Sequence, residues 1–110
     1  MKTDDVVLLY TTWPDQETAR AMIEKALNTN LIACANMLNP HQAFYRWDNT
    51  IRCDSEVIVL MKTTAGRAEA LRTTVIAAHP YETPAFIVVT LETEMSHGPF
   101  IDWVRSATLQ

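Results

Sequence analysis

Residues 42–63, QAFYRWDNTIRCDSEVIVLMKT, decide the fold. Gln42 to Trp47 is extended, aromatic sequence, and Asp48-Asn49 suits a two-residue hairpin loop because Asn accepts positive φ. The return strand runs from about Thr50 to Thr63 and has two characters. In its first half Ile51, Cys53 and Ser55 alternate with Arg52, Asp54 and Glu56, so one face meets water. In its second half, Val57 to Met61, both faces are apolar and both need cover. The strand far exceeds the usual length of about 5–6 residues. Its hairpin therefore projects past any helices and carries Tyr45 and Trp47 near the tip.

Upstream, Val6 to Trp13 reads as a buried strand. Pro14-Asp15 ends it and opens a helix with apolar positions at Ala19, Met22, Ile23, Ala26 and Leu27. Asn28-Thr29-Asn30 stops that helix. Leu31 to Leu38 is expected to be a strand, interrupted at Asn39-Pro40 because proline cannot donate to a ladder. Downstream, Thr64 is a candidate N-cap. Ala68, Leu71, Arg72 and Val75 form an inward stripe, widened by Ile76 and Ala78. The helix ends near His79, since Pro80 disfavours helical backbone before it. Tyr81 to Pro84 is a rigid loop, Phe86 to Leu91 a buried strand, and Phe100 to Thr108 a short helix with Ile101 and Val104 inward.

The order βαββαβ plus a terminal helix predicts one α+β domain over residues 1–110, of ferredoxin-like build, with both main helices on one face of a mainly antiparallel sheet. The other face should be polar. Instead Val6 to Leu9, Val57 to Met61 and Phe86 to Val89 are apolar on both sides, and one short helix is too small to cover them. An obligate homo-oligomer that buries the second face and the hairpin is the expectation.

Charge narrows the function. The 110 residues carry a net charge of −4 with nine scattered basic residues, which argues against nucleic-acid binding. No apolar run reaches the roughly 20 residues of a membrane span. Met1-Lys2-Thr3-Asp4-Asp5 lacks the basic start of a secretory signal, so a cytoplasmic location is expected. Cys34 and Cys53 are too few for a disulfide framework or a four-cysteine zinc site. An acylphosphatase would need an anion cradle after the first strand, which Thr11-Thr12-Trp13-Pro14 does not offer. A copper chaperone would need a Cys-x-x-Cys loop.

Leu31-Ile32-Ala33-Cys34-Ala35-Asn36, Tyr45-Arg46-Trp47, Glu56, Lys62-Thr63, His79-Pro80-Tyr81-Glu82-Thr83-Pro84 and Phe100-Ile101-Asp102-Trp103 stand in the order found in the divalent-cation tolerance proteins of the CutA family. The chain resembles that family from about Val6 to Ala107. The resemblance implies a homotrimer similar in build to the PII signalling proteins, without enzymatic activity, linked to tolerance of copper and other divalent metals. It also leaves a place for a further protein partner that turns occupancy into tolerance. Three departures stand out: Asn49 where the family has Gly in the hairpin turn, Ala85 where it has Glu, and Thr11 and Ala78 where some members offer Cys and a second His.

Candidate site residues follow. His79 with Glu82, and Cys34 from a neighbouring position, are the candidate ligands for Cu²⁺ or another divalent cation, held weakly and not needed for folding. His79 can equally be an imidazole bonded to backbone at a helix end. Tyr45, Trp47, Glu56, Lys62, Tyr81 and Trp103 are candidates for a ligand cleft or a subunit interface, where Tyr and Trp are enriched. No catalytic residue is expected. Glu56 and Lys62 lie roughly 20 Å apart on one strand, so each pairs elsewhere. His41 and His97 are expected in loops.

Overall fold

The computed structural model describes residues 1–109. Its elements are β1 (Val6–Trp13), α1 (Gln16–Asn28), β2 (Cys34–Met37), β3 (His41–Trp47), β4 (Thr50–Thr64), α2 (Ala65–Ala78), β5 (Phe86–Thr90), a single 3₁₀ turn (Thr93–Met95) and α3 (Gly98–Ala107). The sheet order is β2-β4-β1-β5, with β3 also on β4, and every pairing is antiparallel. This is the expected ferredoxin-like α+β arrangement, with the long second strand divided into β2 and β3.

Local chemistry sets the boundaries. Asp15 caps α1, accepting from the Thr18 N–H at 2.7 Å, so Pro14 precedes the cap and does not occupy the first turn. Asn30 stops the chain after α1 with φ of 58°. Asp48 and Asn49 both take positive φ, 50° and 60°, the pair of left-handed residues that a two-residue hairpin turn requires. Strand β2 starts at Cys34, three residues later than expected. Leu31, Ile32 and Ala33 are buried ahead of it, with the Ala33 N–H on the Lys62 carbonyl at 2.9 Å. His41 opens β3 rather than lying in a loop, and His97 is the N-cap residue of α3.

Side-chain alternation divides β1 and β4 between two layers. Val7, Leu9, Trp13, Val57, Val59 and Met61 face the helices and form the main core with Met22 of α1 and Leu71 and Val75 of α2. Val6 points to the other side, where it packs with Ala33 against Ile101 and Val104 of α3. Beyond that small patch Leu8, Tyr10, Ile58 and Leu60 are only half-buried, and Ile87 on β5 is 52% exposed. The second face is therefore apolar and largely uncovered within one chain. Helix α2 corrects one expectation: Leu71 and Val75 face inward, but Arg72, Ile76 and Ala78 are exposed.

A one-residue offset aims the hairpin. Met37 lies opposite Val59 and His41 opposite Glu56. Leu38, Asn39 and Pro40 thus oppose only Val57 and Ile58, a bulge that changes which face the following residues occupy. Beyond it, odd positions of β3 share a face with even positions of β4. Tyr45 and Trp47 therefore face the same way as Arg52, Asp54 and Glu56. The opposite face of the hairpin carries Phe44, 70% exposed, and Ile51, 69% exposed.

The turn gives a direct check. Asn49→Gly should keep or slightly raise stability, whereas Asn49→Ile should lose about 1–2 kcal/mol because a β-branched residue resists positive φ. Urea unfolding of the two variants measures the difference.

Candidate functional site

Helix α2 ends at His79, and the Pro80 to Ala85 loop turns back over the end of β1. Trp13, the last residue of β1, is fully buried. Its Nε1–H donates to Thr11 Oγ1 at 2.8 Å, and the Thr11 hydroxyl donates to the Val59 carbonyl at 3.1 Å. The His79 ring stacks on the indole with centroids 4.2 Å apart. Its Nε2 lies 2.6 Å from the Thr12 carbonyl oxygen. A carbonyl only accepts, so Nε2 carries the proton and donates. Nδ1 accepts from the Tyr81 N–H at 3.1 Å. Both ring nitrogens are engaged with backbone, and His79 is buried.

His79 thereby seats Tyr81, whose ring packs 4.7 Å from the imidazole. The Tyr81 hydroxyl donates to Glu56 Oε2 at 2.8 Å, tying the loop to the point where β4 leaves the core. Burial, then the hydrogen bond to the Glu56 carboxylate, push the Tyr81 phenol well above its ordinary range. On the hairpin the Tyr45 hydroxyl bonds the Asp54 carboxylate, which raises that phenol too.

Between hairpin and loop lies an open groove of about 690 Å³. Tyr45 and Trp47 form one wall and Tyr81 and Glu82 the other, with Glu56 at its base and Arg52 beside it. Ala85 also borders it, at the position where a carboxylate is absent. The structure brings together five of the expected residues here: Tyr45, Trp47, Glu56, Tyr81 and Glu82. His79 lies beneath them. The other three lie outside the groove lining. Cys34 is on β2 opposite Lys62, and the Lys62 ammonium bonds the Asn36 side chain. Trp103 is on α3, packed against Phe100 at 5.7 Å. Among the described residues no group of three or more His, Cys, Asp or Glu side chains converges on one point. His79, Glu82 and Cys34 of a single chain therefore do not make a metal cage. Asp54, the Thr11 to Trp13 support and the Thr12 carbonyl are not among the candidates read from the sequence. The hairpin register would have signalled Asp54; nothing local signals a backbone acceptor.

An antiparallel ferredoxin-like sheet with a projecting hairpin and a groove at its base defines a small protein of the ferredoxin-like α+β class. The sequence profile of the CutA1 divalent ion tolerance protein family matches residues 7–107, and the chain belongs to this family. It is 34% identical over 103 residues to the divalent-cation tolerance protein CutA of Pyrococcus horikoshii, covering 94% of this chain and 98% of that one. It is 31% identical to the human protein CutA over 90% of this chain, spanning 54% of the human protein's length. Among solved structures, CutA1 from Ehrlichia chaffeensis superposes with a TM-score of 0.90 at 32% identity, covering 99% of this chain and 100% of that one. The protein described as periplasmic divalent cation tolerance protein CutA from Archaeoglobus fulgidus superposes with a TM-score of 0.89 at 27% identity, covering 94% and 99%. Among the described residues no helix is long and apolar enough to cross a membrane.

Two variants test the site. Thr11→Val keeps the shape but orphans the buried indole N–H, and should cost about 1–3 kcal/mol in urea unfolding. Tyr81→Phe tests the phenol. A raised folded-state value means that the Tyr81 contribution to stability is intact below the ordinary value of 10.0 and falls as pH rises above it. Between pH 9 and 11, roughly spanning the free tyrosine range, the wild type should lose more stability than Tyr81→Phe; parallel losses would contradict the assigned bond.

Proposed function

We propose that this protein is a non-catalytic homotrimer of the cytoplasmic response to divalent metal ions, copper among them, and that it takes a metal ion or small ligand in clefts between subunits. The groove of about 690 Å³ at the base of the hairpin carries the reading. One of its walls is a free-standing aromatic ribbon, which a neighbouring chain is needed to support. Family membership supports the tolerance role, and the uncovered apolar sheet face supports assembly. The number three and the copper link rest on the resemblance.

For metal, the ligand count favours weak binding. A closed zinc site needs four protein ligands. One chain offers the Asp48 and Glu82 carboxylates at the groove, Glu56 with one oxygen already taken by the Tyr81 hydroxyl, and His79 only if a cation displaces the Tyr81 N–H from Nδ1; among the described residues no three of these converge. Cys34 or a carboxylate from a neighbouring subunit would complete the set. A second reading, a PII-like trimer that binds a small organic molecule, is favoured by the size and aromatic walls of the groove, which exceed what one ion fills.

Native mass spectrometry of protein taken from cells reports subunit number and any retained metal or small molecule together. Isothermal titration with Cu²⁺ and Zn²⁺ should give weak to moderate binding that is lower at pH 5.5 than at 7.5, because a coordinating imidazole must be unprotonated. His79→Ala should reduce it, and equal affinity would remove His79 from the site. Chelation should leave the fold intact. Trp47→Ala should make melting more dependent on protein concentration; an unchanged dependence would contradict an interface role.

A further inference from the structure

Three carboxylates line the groove at the base of the hairpin, Asp48, Glu56 and Glu82, against one cation, Arg52. Asp48 in the hairpin turn and Glu82 on the loop after α2 are open to water. Glu56 is different. It is only 9% exposed, at the floor of the groove where β4 leaves the core. Its Oε2 accepts from the Tyr81 hydroxyl at 2.8 Å, and among the described residues its Oε1 accepts from nothing. Nor is Oε1 sealed away. Among the described residues the one sealed side-chain polar atom without a partner is His41 Nδ1. Oε1 is therefore a charged acceptor on a nearly buried side chain, open to the groove that Glu56 lines. A carboxylate held in that way calls for a positively charged donor.

The chain does not supply that donor itself. Arg52 stands opposite Tyr45, four residues from Glu56 and so about 13 Å away along the strand. Among the described residues the one ion pair joins Arg105 to Asp102, so Arg52 pairs directly with none of the three groove carboxylates. The walls add a second preference. Tyr45, Trp47 and Tyr81 all border the space, and the tyrosine hydroxyl protons are committed to Asp54 and Glu56. What remains for a ligand is the ring faces, whose negative quadrupole attracts cations.

We propose that the groove binds an organic ammonium ion, with the ammonium on Glu56 Oε1 and the apolar body against Tyr45, Trp47 and Tyr81. This rests on the reading of the groove as a ligand cleft and names the class of ligand. The two kinds of surface select it together. A bare metal ion needs about three protein donors, which do not converge among the described residues, and it makes no use of aromatic walls. An anion meets three carboxylates against one arginine. A neutral molecule satisfies the rings but leaves Oε1 without a charged donor. An ammonium group on an apolar body answers both, and the space of about 690 Å³ admits one. Asp48 and Glu82 contribute negative potential at the rim.

The test is titration of the full, assembled protein with three probes of one shape and different charge: benzylamine, benzyl alcohol and benzoate, at pH 7.5 and constant ionic strength. Calorimetry gives affinity. The indole N–H signal of Trp47, assigned by its loss in Trp47→Phe, gives the place. Benzylamine should bind at least tenfold more tightly than benzyl alcohol, benzoate should bind least, and benzylamine should move the Trp47 signal. Glu56→Gln, which still accepts from Tyr81, should weaken benzylamine roughly tenfold, the loss expected for a charged hydrogen bond. Arg52→Gln should tighten it about threefold, because it removes a cation from the same groove. Arg52 is exposed, so this variant decides the matter if Glu56→Gln folds poorly. Benzyl alcohol or benzoate binding as tightly as benzylamine would overturn the ammonium assignment while leaving the groove a ligand cleft. Undiminished affinity in Glu56→Gln, or weaker affinity in Arg52→Gln, would overturn it too. Binding of none of the three would overturn the assignment and the cleft reading for small molecules together.

Discussion

Strand β4 is the constraint on which everything else depends. It is 15 residues long and pairs with β1 and β2 at one end and β3 at the other. Its C-terminal half, beside β1, is apolar on both faces and carries the core on one of them. Its N-terminal half extends beyond β1 with only β3 for company, so the same strand that anchors the sheet also builds a free ribbon. Glu56 marks the junction. It stands one residue beyond the end of the β1 pairing, where Val57 faces Trp13, and there it receives the Tyr81 hydroxyl. The groove exists because β4 outruns its neighbours at the place where the α2–β5 loop folds back.

Much of this was legible because the signals are local. The apolar runs, the Asp48-Asn49 turn and the proline after His79 each act within a few residues, and they fix the element order. What escaped depends on comparison between distant strands. The bulge around Leu38 to Pro40 could be guessed from Pro40, but its size of one residue depends on how both β2 and β3 register against β4. That single residue decides whether Tyr45 and Trp47 face Glu56 or turn away from it. Helix α2 failed differently. Its apolar residues are spread around the helix, so the pattern marks no single inward face, and Ile76 and Ala78 were assigned to the core although packing leaves them outside.

His79 shows the limit most clearly. Residue type and position made it a candidate ligand and, equally, a backbone-bonded imidazole. The choice rests on the Thr12 carbonyl, 67 residues away in sequence, and on the Tyr81 N–H. With both nitrogens engaged, His79 positions the loop that forms one wall of the groove. A metal ion at Nδ1 would have to displace the Tyr81 N–H that holds this loop in place.

The same sheet that gives the chain its core leaves Leu8, Tyr10, Ile58, Leu60 and Ile87 short of cover, and α3 reaches only the Val6 end. A large apolar side chain gains about 1.5–3 kcal/mol between full exposure and full burial, and these partly covered ones gain the remaining share when a partner covers them. Copies of the chain as that cover are the central claim, and sedimentation equilibrium at micromolar concentration tests it most directly. The account predicts one species with the mass of three 12.5 kDa chains; a folded species with the mass of one chain would contradict it.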